Sequence, residues 1–405
     1  MFMNKKIYLD YAGATPIDRK VKKVAAFYEK DFFANGSSIY KDGVRVKSII
    51  EEGRGKVAKL INAHNDEIIF TGSGTESDAM AIIGVVKVWN KNNKNIIPHI
   101  ITTKIEHPAI LENCRMLEEE GFAEVTYVGV DKEGIINLEE LKDSLKENTV
   151  LVSVMYANNE VGTIEPIQEI AKMIRHFKKE KKSFYPFLHI DACQAMNYLY
   201  TENIEKLGVD LMSFNSSKIY GPKGIGALYK KRGLEISPIY KGGGQEFGLR
   251  SGTESLPLIA SFSEAFFITN KIKEKESKRL TKIRDHGIEK LLSLSEKTGY
   301  KIILNGDKVN RLPNNINISI TGISSELLVI ELDAKGIEVS EKSACHSNDD
   351  NGSYVIKAMR KICKRGSEEE GSLRISLGRG TTKSDMNVLV KELGKILNKY
   401  KKFRS

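Results

Sequence analysis

The sequence predicts an α/β fold: a large, mostly parallel sheet flanked by helices, with a smaller α+β part attached. Strand-like and helix-like segments alternate from about residue 65 to 230, the pattern of crossover units that build parallel sheets. From Ile259 onward the pattern changes to a long helical stretch, about 262–297, followed by shorter strands. A third observation concerns the strand ends. Several apolar runs stop abruptly in small polar residues, next to side chains that can do chemistry.

Glu67-Ile-Ile-Phe-Thr71 reads as a short buried strand, broken by Gly72-Ser-Gly-Thr-Glu-Ser77. The helix that follows sets Ala79, Ile82, Ile83, Val86 and Trp89 on one face. A strand, a Gly/Ser/Thr turn and a helix N-terminus together make an anion site, because free N–H groups and hydroxyls converge there. Ser73 and Thr75 also suit plain helix capping. His99–Thr103 is the next strand; Glu106-His107-Pro108 ends it, and Pro108 opens a helix through Glu120. His107 therefore falls at a strand's carboxyl end, where open α/β sheets bind ligands, or where a structural histidine finds a bond.

Val125–Val130 and Val150–Tyr156 are further strands, the second running into Ala157-Asn-Asn-Glu-Val-Gly-Thr163. Two adjacent amides after a buried strand need partners, either a turn or a ligand's oxygen. Phe187–Ile190 ends in Asp191-Ala-Cys-Gln194. A poorly solvated aspartate there needs a cation or a donor. A protonated pyridine nitrogen is one such partner, and the next helix's N-terminus is another.

Leu211–Phe214 stops in Asn215-Ser-Ser217, and Lys218 follows with two glycine-rich turns. An amine placed there can form a Schiff base with a carbonyl compound, of which pyridoxal phosphate is the commonest; a solvated surface lysine is the plainer alternative. Each position is ambiguous alone, but all of them gather at one edge of one sheet. Later come strands over Asn315–Ser319 and Ile337–Val339 and a C-terminal helix from Ser384. The expected division is 19–261 for the large α/β part, and 1–18 plus 262–405 for the smaller α+β part.

Composition bounds the function classes. With 405 residues, 40% hydrophobic and 29% charged, the chain is an ordinary globular protein with room for a large core. No apolar run approaches a membrane span, and Met1-Phe-Met-Asn-Lys-Lys lacks the apolar stretch of a signal peptide. The net charge of +10 suits nucleic-acid binding, yet the lysines are scattered among glutamates with no aromatic–basic stripe, so no direct contact with nucleic acid is expected. Cysteines 114, 193, 345 and 363 show no C-x-x-C pair and no zinc spacing. They read as free thiols in a cytoplasmic protein without a metal.

Beside this reading stands a resemblance. The chain resembles the cysteine desulfurases of the NifS/IscS-like branch, class-V aminotransferase relatives with the fold of the fold-type I pyridoxal-phosphate enzymes. The matching stretches run nearly end to end: Tyr8–Pro16, Phe70–Ser77, Glu106-His107, Ala157–Thr163, His189–Gln194, Ser217–Gly224, Gly242–Thr253, Ser343-Ala-Cys345 and Ser372–Arg379. The resemblance implies that Lys218 holds the cofactor covalently and later moves the substrate's Cα proton. It implies that Asp191 pairs with the ring nitrogen and that His107 stacks on the ring. Gln194 and Asn159 would reach the ring's oxygen side. Gly74 and Thr75 would bind the phosphate, joined by Thr253 from the partner subunit of a homodimer. Arg374 would clamp the carboxylate of L-cysteine, a bidentate task that suits guanidinium.

Cys345 would be the nucleophile that takes the sulfur as a persulfide, leaving L-alanine. The polar, turn-forming stretch after it, His346–Ser353, makes it a poor core filler, and its sulfur would pass to an acceptor, either an iron–sulfur scaffold or a tRNA-thiolation protein. Cys363 and Cys193 are expected to be packed thiols. Two departures from the family pattern stand out. Asn35-Gly-Ser-Ser-Ile-Tyr40 replaces the usual Asn-Pro-Ser-Ser-x-His, and Asn215 and Ser217 stand where Ser and His are usual. Asn215 and Ser217 still donate hydrogen bonds, so weaker cofactor binding or altered substrate handling is expected rather than loss of the chemistry. A selenocysteine lyase or aminotransferase, and a non-catalytic basic scaffold on the same fold, remain the alternatives; the thiol at 345 separates the first reading from transamination.

Overall fold

The computed structural model describes residues 6–341, 353–360 and 370–402. Cys345, Cys363 and the Ser343-Ala-Cys345 motif lie outside the described residues. In chain order the strands are β1 (Ile7–Tyr8), β2 (Ile68–Thr71), β3 (His99–Thr103), β4 (Glu124–Val128), β5 (Thr149–Met155) and β6 (Phe187–Asp191). Then follow β7 (Leu211–Asn215), β8 (Gly226–Lys230), β9 (Ile302–Leu304), β10 (Asn315–Thr321), β11 (Ile337–Glu338) and β12 (Glu370–Ser376).

Seven strands form one mixed sheet in the order β2-β8-β7-β6-β5-β3-β4. The pairs from β7 to β4 are all parallel; β8 alone runs antiparallel to its neighbours β7 and β2. Parallel strands are covered on both faces, so their side chains read as continuous apolar runs. β5, with the sequence TVLVSVM, is buried along its whole length. Val152, Val154, Leu188, Ile190, Met212 and Phe214 face one helical layer. Leu151, Phe187, Leu211 and Leu228 face the other. The helix Gly74–Asn92 fills this second layer and is buried on more sides than one, with Asp78, Met80, Ala81 and Val85 inside as well as Ile82, Val86 and Trp89.

A second core gathers around the sheet β12-β10-β9. β1 pairs in parallel with β11, Ile7 against Ile337, and Leu9 is fully buried in this core. The start of the chain therefore packs with its last third. The long helical stretch is two helices, Leu256–Leu292 and Leu294–Thr298, the second closed by Gly299 at φ 79°. The first has a proline in its opening turn, which explains the earlier start. Its side chains Leu256, Ile259, Phe262 and Phe266 sit in the first core, while Leu280, Ile283 and Leu291 sit in the second. The 261/262 boundary falls inside this helix.

One buried ion pair fixes the glycine-rich 242–253 stretch to the large sheet. Arg54 Nη1 and Nη2 donate to Glu246 Oε2 and Oε1 at 2.6 and 2.8 Å. The same Nη1 donates to Ile68 O at 2.7 Å, and Glu246 Oε2 also accepts from Phe70 N–H at 2.7 Å. Both side chains are at most 2% exposed. A fork-to-fork pair with further bonds at each end offsets the cost of burying the two charges. Removing one partner does not. Glu246→Ala is expected to destabilise the chain by about 3–5 kcal/mol, because it leaves the buried guanidinium only Ile68 O and the more exposed Glu51 carboxylate; urea unfolding of the two proteins measures it.

Candidate active site

The carboxyl ends of β3, β5, β6 and β7 lie side by side, and the residues singled out in the sequence stand there. Lys218 closes a 3₁₀ turn, Ser216–Lys218, directly after β7. Its Nζ donates to Ala12 O at 2.9 Å and to Gly13 O at 2.6 Å. Gln194 Nε2 donates to the same Ala12 carbonyl at 3.0 Å. Thr15 N–H and its hydroxyl both donate to Ser217 O at 2.9 Å. A turn from the start of the chain, Asp10–Thr15, thus lies against the lysine. No local pattern in the sequence announces that contact.

Asp191 is the last residue of β6 and is 8% exposed. Its Oδ1 accepts from Cys193 N–H at 2.8 Å. The acids and the imidazole around it are held neutral. Asp78 is buried behind it, bonded by the Ser213 hydroxyl; burial, with Asp191 beside it, pushes its carboxyl well above the usual range. Its Oδ1 has no hydrogen-bond partner among the described residues. Burial also raises Glu106 well above the usual range, although Thr103 Oγ1 and Met155 N–H donate to its Oε1 at 2.7 and 3.0 Å. His189 lies between the hydroxyls of Ser153 and Ser213, at 2.8 and 3.0 Å, and burial pushes its pKa down to about 4.

The two adjacent amides divide the work between them. Asn158 is structural: its Oδ1 accepts from Glu160 and Val161 N–H, and its Nδ2 donates to Ile105 O. Asn159 is 7% exposed, and its Oδ1 has no hydrogen-bond partner among the described residues. His107 caps its own helix, Pro108–Glu119, with Nδ1 accepting from Ala109 N–H at 3.1 Å, and its ring stays half-buried. Arg374, on β12, is buried; it donates from Nη2 to Asp10 Oδ1 at 2.8 Å and from Nη1 to Asn159 O at 3.3 Å. Thr75 and Thr253 are exposed.

The described residues on either side of Cys345 are tied to this site. Ser340 exchanges both backbone bonds with Arg374, at 3.1 and 2.7 Å. On the other side, Ser353 Oγ donates to Glu160 Oε2 and Tyr354 OH to Glu106 O, each at 2.6 Å.

At the N-terminus of the helix Gly74–Asn92, Gly74 packs against the end of β7 and the residues after β6. A Cβ on Gly74 would lie 2.7 Å from Cys193 Sγ and 3.2 Å from Asn215 Cβ. Asn215 Oδ1 in turn accepts from both Ser217 N–H and its hydroxyl at 3.1 Å. Cys193 and Cys114 are both buried thiols, as the sequence suggests for each. Gly74→Ala is expected to cost about 1–3 kcal/mol through overpacking. Cys193→Ala in the same chain recovers part of that loss, because it removes the sulfur the new methyl meets. Melting all four proteins of this cycle measures the coupling.

The sequence profile of the aminotransferase class-V family matches residues 7–389. A relative from Dictyoglomus turgidum, called cysteine desulfurase IscS, is 42% identical over 98% of this chain and 96% of its own length. Among solved structures, a NifS-like protein superposes with a TM-score of 0.86 at 32% identity, covering 97% of this chain and 99% of that one. SspA in complex with cysteine superposes with a TM-score of 0.76 at 29% identity, covering 92% and 98%. The chain belongs to the class-V aminotransferase family, among its cysteine desulfurase members.

Proposed function

We propose that this chain is a pyridoxal-phosphate-dependent cysteine desulfurase, which moves the sulfur of L-cysteine onto Cys345 and leaves L-alanine. One observation carries the reading: a lysine amine, a buried aspartate within a shell of neutral groups and a helix N-terminus converge at one sheet edge in a chain with cysteine desulfurase relatives.

The residues fit the cofactor. Lys218 supplies the amine and Asp191 the carboxylate for the ring nitrogen. Gly74 leaves the helix N-terminus without a side chain, so its N–H groups suit a phosphate. Asn159 Oδ1 is a buried acceptor awaiting a donor. Bound there, pyridoxal phosphate supplies the electron sink that lets bonds at the substrate's Cα and Cβ break.

The chain's own groups do the rest. With Asp78, Glu106 and His189 neutral, Asp191 would be the carboxylate that faces the ring nitrogen. His107 stacks on the ring, and its cap bond fixes the ring's tilt. Gln194 and Asn159 serve the ring's oxygen side. Gly74, Thr75, Asn215 and Ser217 hold the phosphate, with Thr253 from the second subunit of a homodimer. Arg374 grips the substrate's carboxylate. Lys218 Nζ moves the Cα proton, and the Ala12 and Gly13 carbonyls orient that amine. The Cys345 thiolate takes the substrate's sulfur, and the thiolate rather than the thiol is the attacking form. The flanks of its stretch, bonded to Arg374, Glu160 and Glu106, support delivery to this place.

The sulfur then passes to an acceptor protein, an iron–sulfur scaffold or a tRNA-thiolation factor, in the cytoplasm. Among the described residues no helix is long and apolar enough to cross a membrane. The two hydrophobic cores support a division into 19–261 and 1–18 plus 262–405, joined through the long helix.

Cys345→Ala is expected to stop sulfide production while the protein keeps its visible colour with the cofactor; sulfide at the wild-type rate removes Cys345 from the scheme. Asn215→Ser combined with Ser217→His, the family's usual pair, is expected to slow cofactor loss. Dialysis followed by absorbance measures it, and an unchanged or faster loss contradicts the assignment of these two residues to the phosphate.

A further inference from the structure

Arg374 already carries a carboxylate from its own chain. Asp10 Oδ1 accepts from Nη2 at 2.8 Å, with the arginine side chain 2% exposed and the aspartate 23%. The remaining contacts of this guanidinium are thin. Nη1 makes one long bond, 3.3 Å, to Asn159 O, and buried Nε has no hydrogen-bond partner among the described residues. A guanidinium offers a planar fork of donors that suits two carboxylate oxygens at once. Asp10 takes one donor with one oxygen.

The two partners differ in how firmly they are held. Arg374 is fixed in the sheet, paired with Asn317 on β10 and with both backbone groups of Ser340. Asp10 heads the Asp10–Thr15 turn at the more exposed side of the pair. Its other oxygen lies over Gly13, where a side chain would collide with it. When a second carboxylate arrives, the group that can yield is Asp10.

We propose that Asp10 is a built-in competitor for the substrate's carboxylate on Arg374, and so determines which ligands this site accepts. It cedes the arginine to an anion that engages two donors, and not to a neutral group. The inference rests on the reading of Arg374 as the carboxylate clamp. It also gives the turn a second role, since the same turn presents Ala12 O and Gly13 O to Lys218 Nζ. Asp10 acts through Arg374 and is therefore a positioning residue.

The test compares L-cysteine with L-cysteinamide on the holoenzyme, as a ratio of kcat/KM values. Removing the competing charge favours the acid only. Asp10→Asn is expected to raise that ratio roughly three- to tenfold, the scale of a partly exposed ion pair, and to lower KM for L-cysteine. Asp10→Glu, which keeps a carboxylate on the turn, stays nearer the wild-type ratio. An unchanged or lowered ratio in Asp10→Asn overturns the proposal, because Asp10 would then merely hold the arginine in place. Arg374→Lys separates the two ideas: if it leaves the ratio unmoved, the clamp reading itself fails.

A crystal structure of the wild-type holoenzyme with L-alanine needs no variant to fold. The expected result is two Arg374 donors on the ligand's carboxylate, with Asp10 Oδ1 no longer on Nη2. Asp10 still bonded to Nη2 beside a bound carboxylate refutes the competition, and a carboxylate seated away from Arg374 refutes the clamp.

Discussion

The amine of Lys218 is held by two carbonyls from residues about 200 positions earlier in the chain, at 2.9 and 2.6 Å. The position of the amine depends on that contact being made. It needs β7 to end where it does, and it needs the Asp10–Thr15 turn to lie over that end. The turn is anchored on both sides. Before it, β1 pairs with β11 and Leu9 is buried in the second core. After it, the Thr15 hydroxyl accepts from Tyr220 N–H at 2.8 Å, and the Tyr220 hydroxyl accepts from Arg379 N–H at 2.8 Å. Closing so long a loop carries an entropic cost that grows only slowly with length. Burial of β1 offsets it, so Lys218 is positioned where the two cores meet.

Charge at the site follows from the same layering. Burial, with Asp191 beside it, pushes the Asp78 carboxyl well above its usual range. Asp78 lies inside a helix packed flat on the sheet, with Ser213 as its donor and one oxygen unmet. Asp191 stands at the strand end, with a backbone N–H on its carboxylate and Lys218 on the same rim. Burial therefore neutralises the deeper acid. Glu106 and His189 are neutralised by burial too. The outcome is an uncharged floor beneath Asp191.

Much of this was legible in the sequence, and the limits are instructive. The parallel strands showed because burial on both faces makes each one an apolar run, as in β3 and β5. Ends differed by a residue or two: the strand expected over Val125–Val130 stops at Val128, and Val130 makes only an isolated bridge with Ile136. β8 was not foreseen, since GALYK is short, carries no period and follows a glycine-rich turn. The placement of Lys218, Asp191, His107 and Asn159 beside strand ends was legible because strand ends are local features. Asp10 on Arg374, and Ala12 and Gly13 on Lys218, were not, because each joins residues some 200 to 360 positions apart. Nor does spacing distinguish Asn158 from Asn159; only the bond partners do.

Arg374 is where the remaining threads cross. Its side chain meets Asp10, which opens the turn on Lys218, and Asn159 through that residue's carbonyl. Its backbone meets Ser340, the last bonded point before the stretch that carries Cys345. From Ser340 to Cys345 the chain spans at most about 18 Å even if fully extended. Chain length alone therefore keeps residue 345 within that reach of Ser340. In the proposed function, substrate recognition and sulfur acceptance are thus tied to one strand, β12. A displacement of that strand alters both together, whereas a change confined to Lys218 or Asp191 leaves the thiol's anchorage intact.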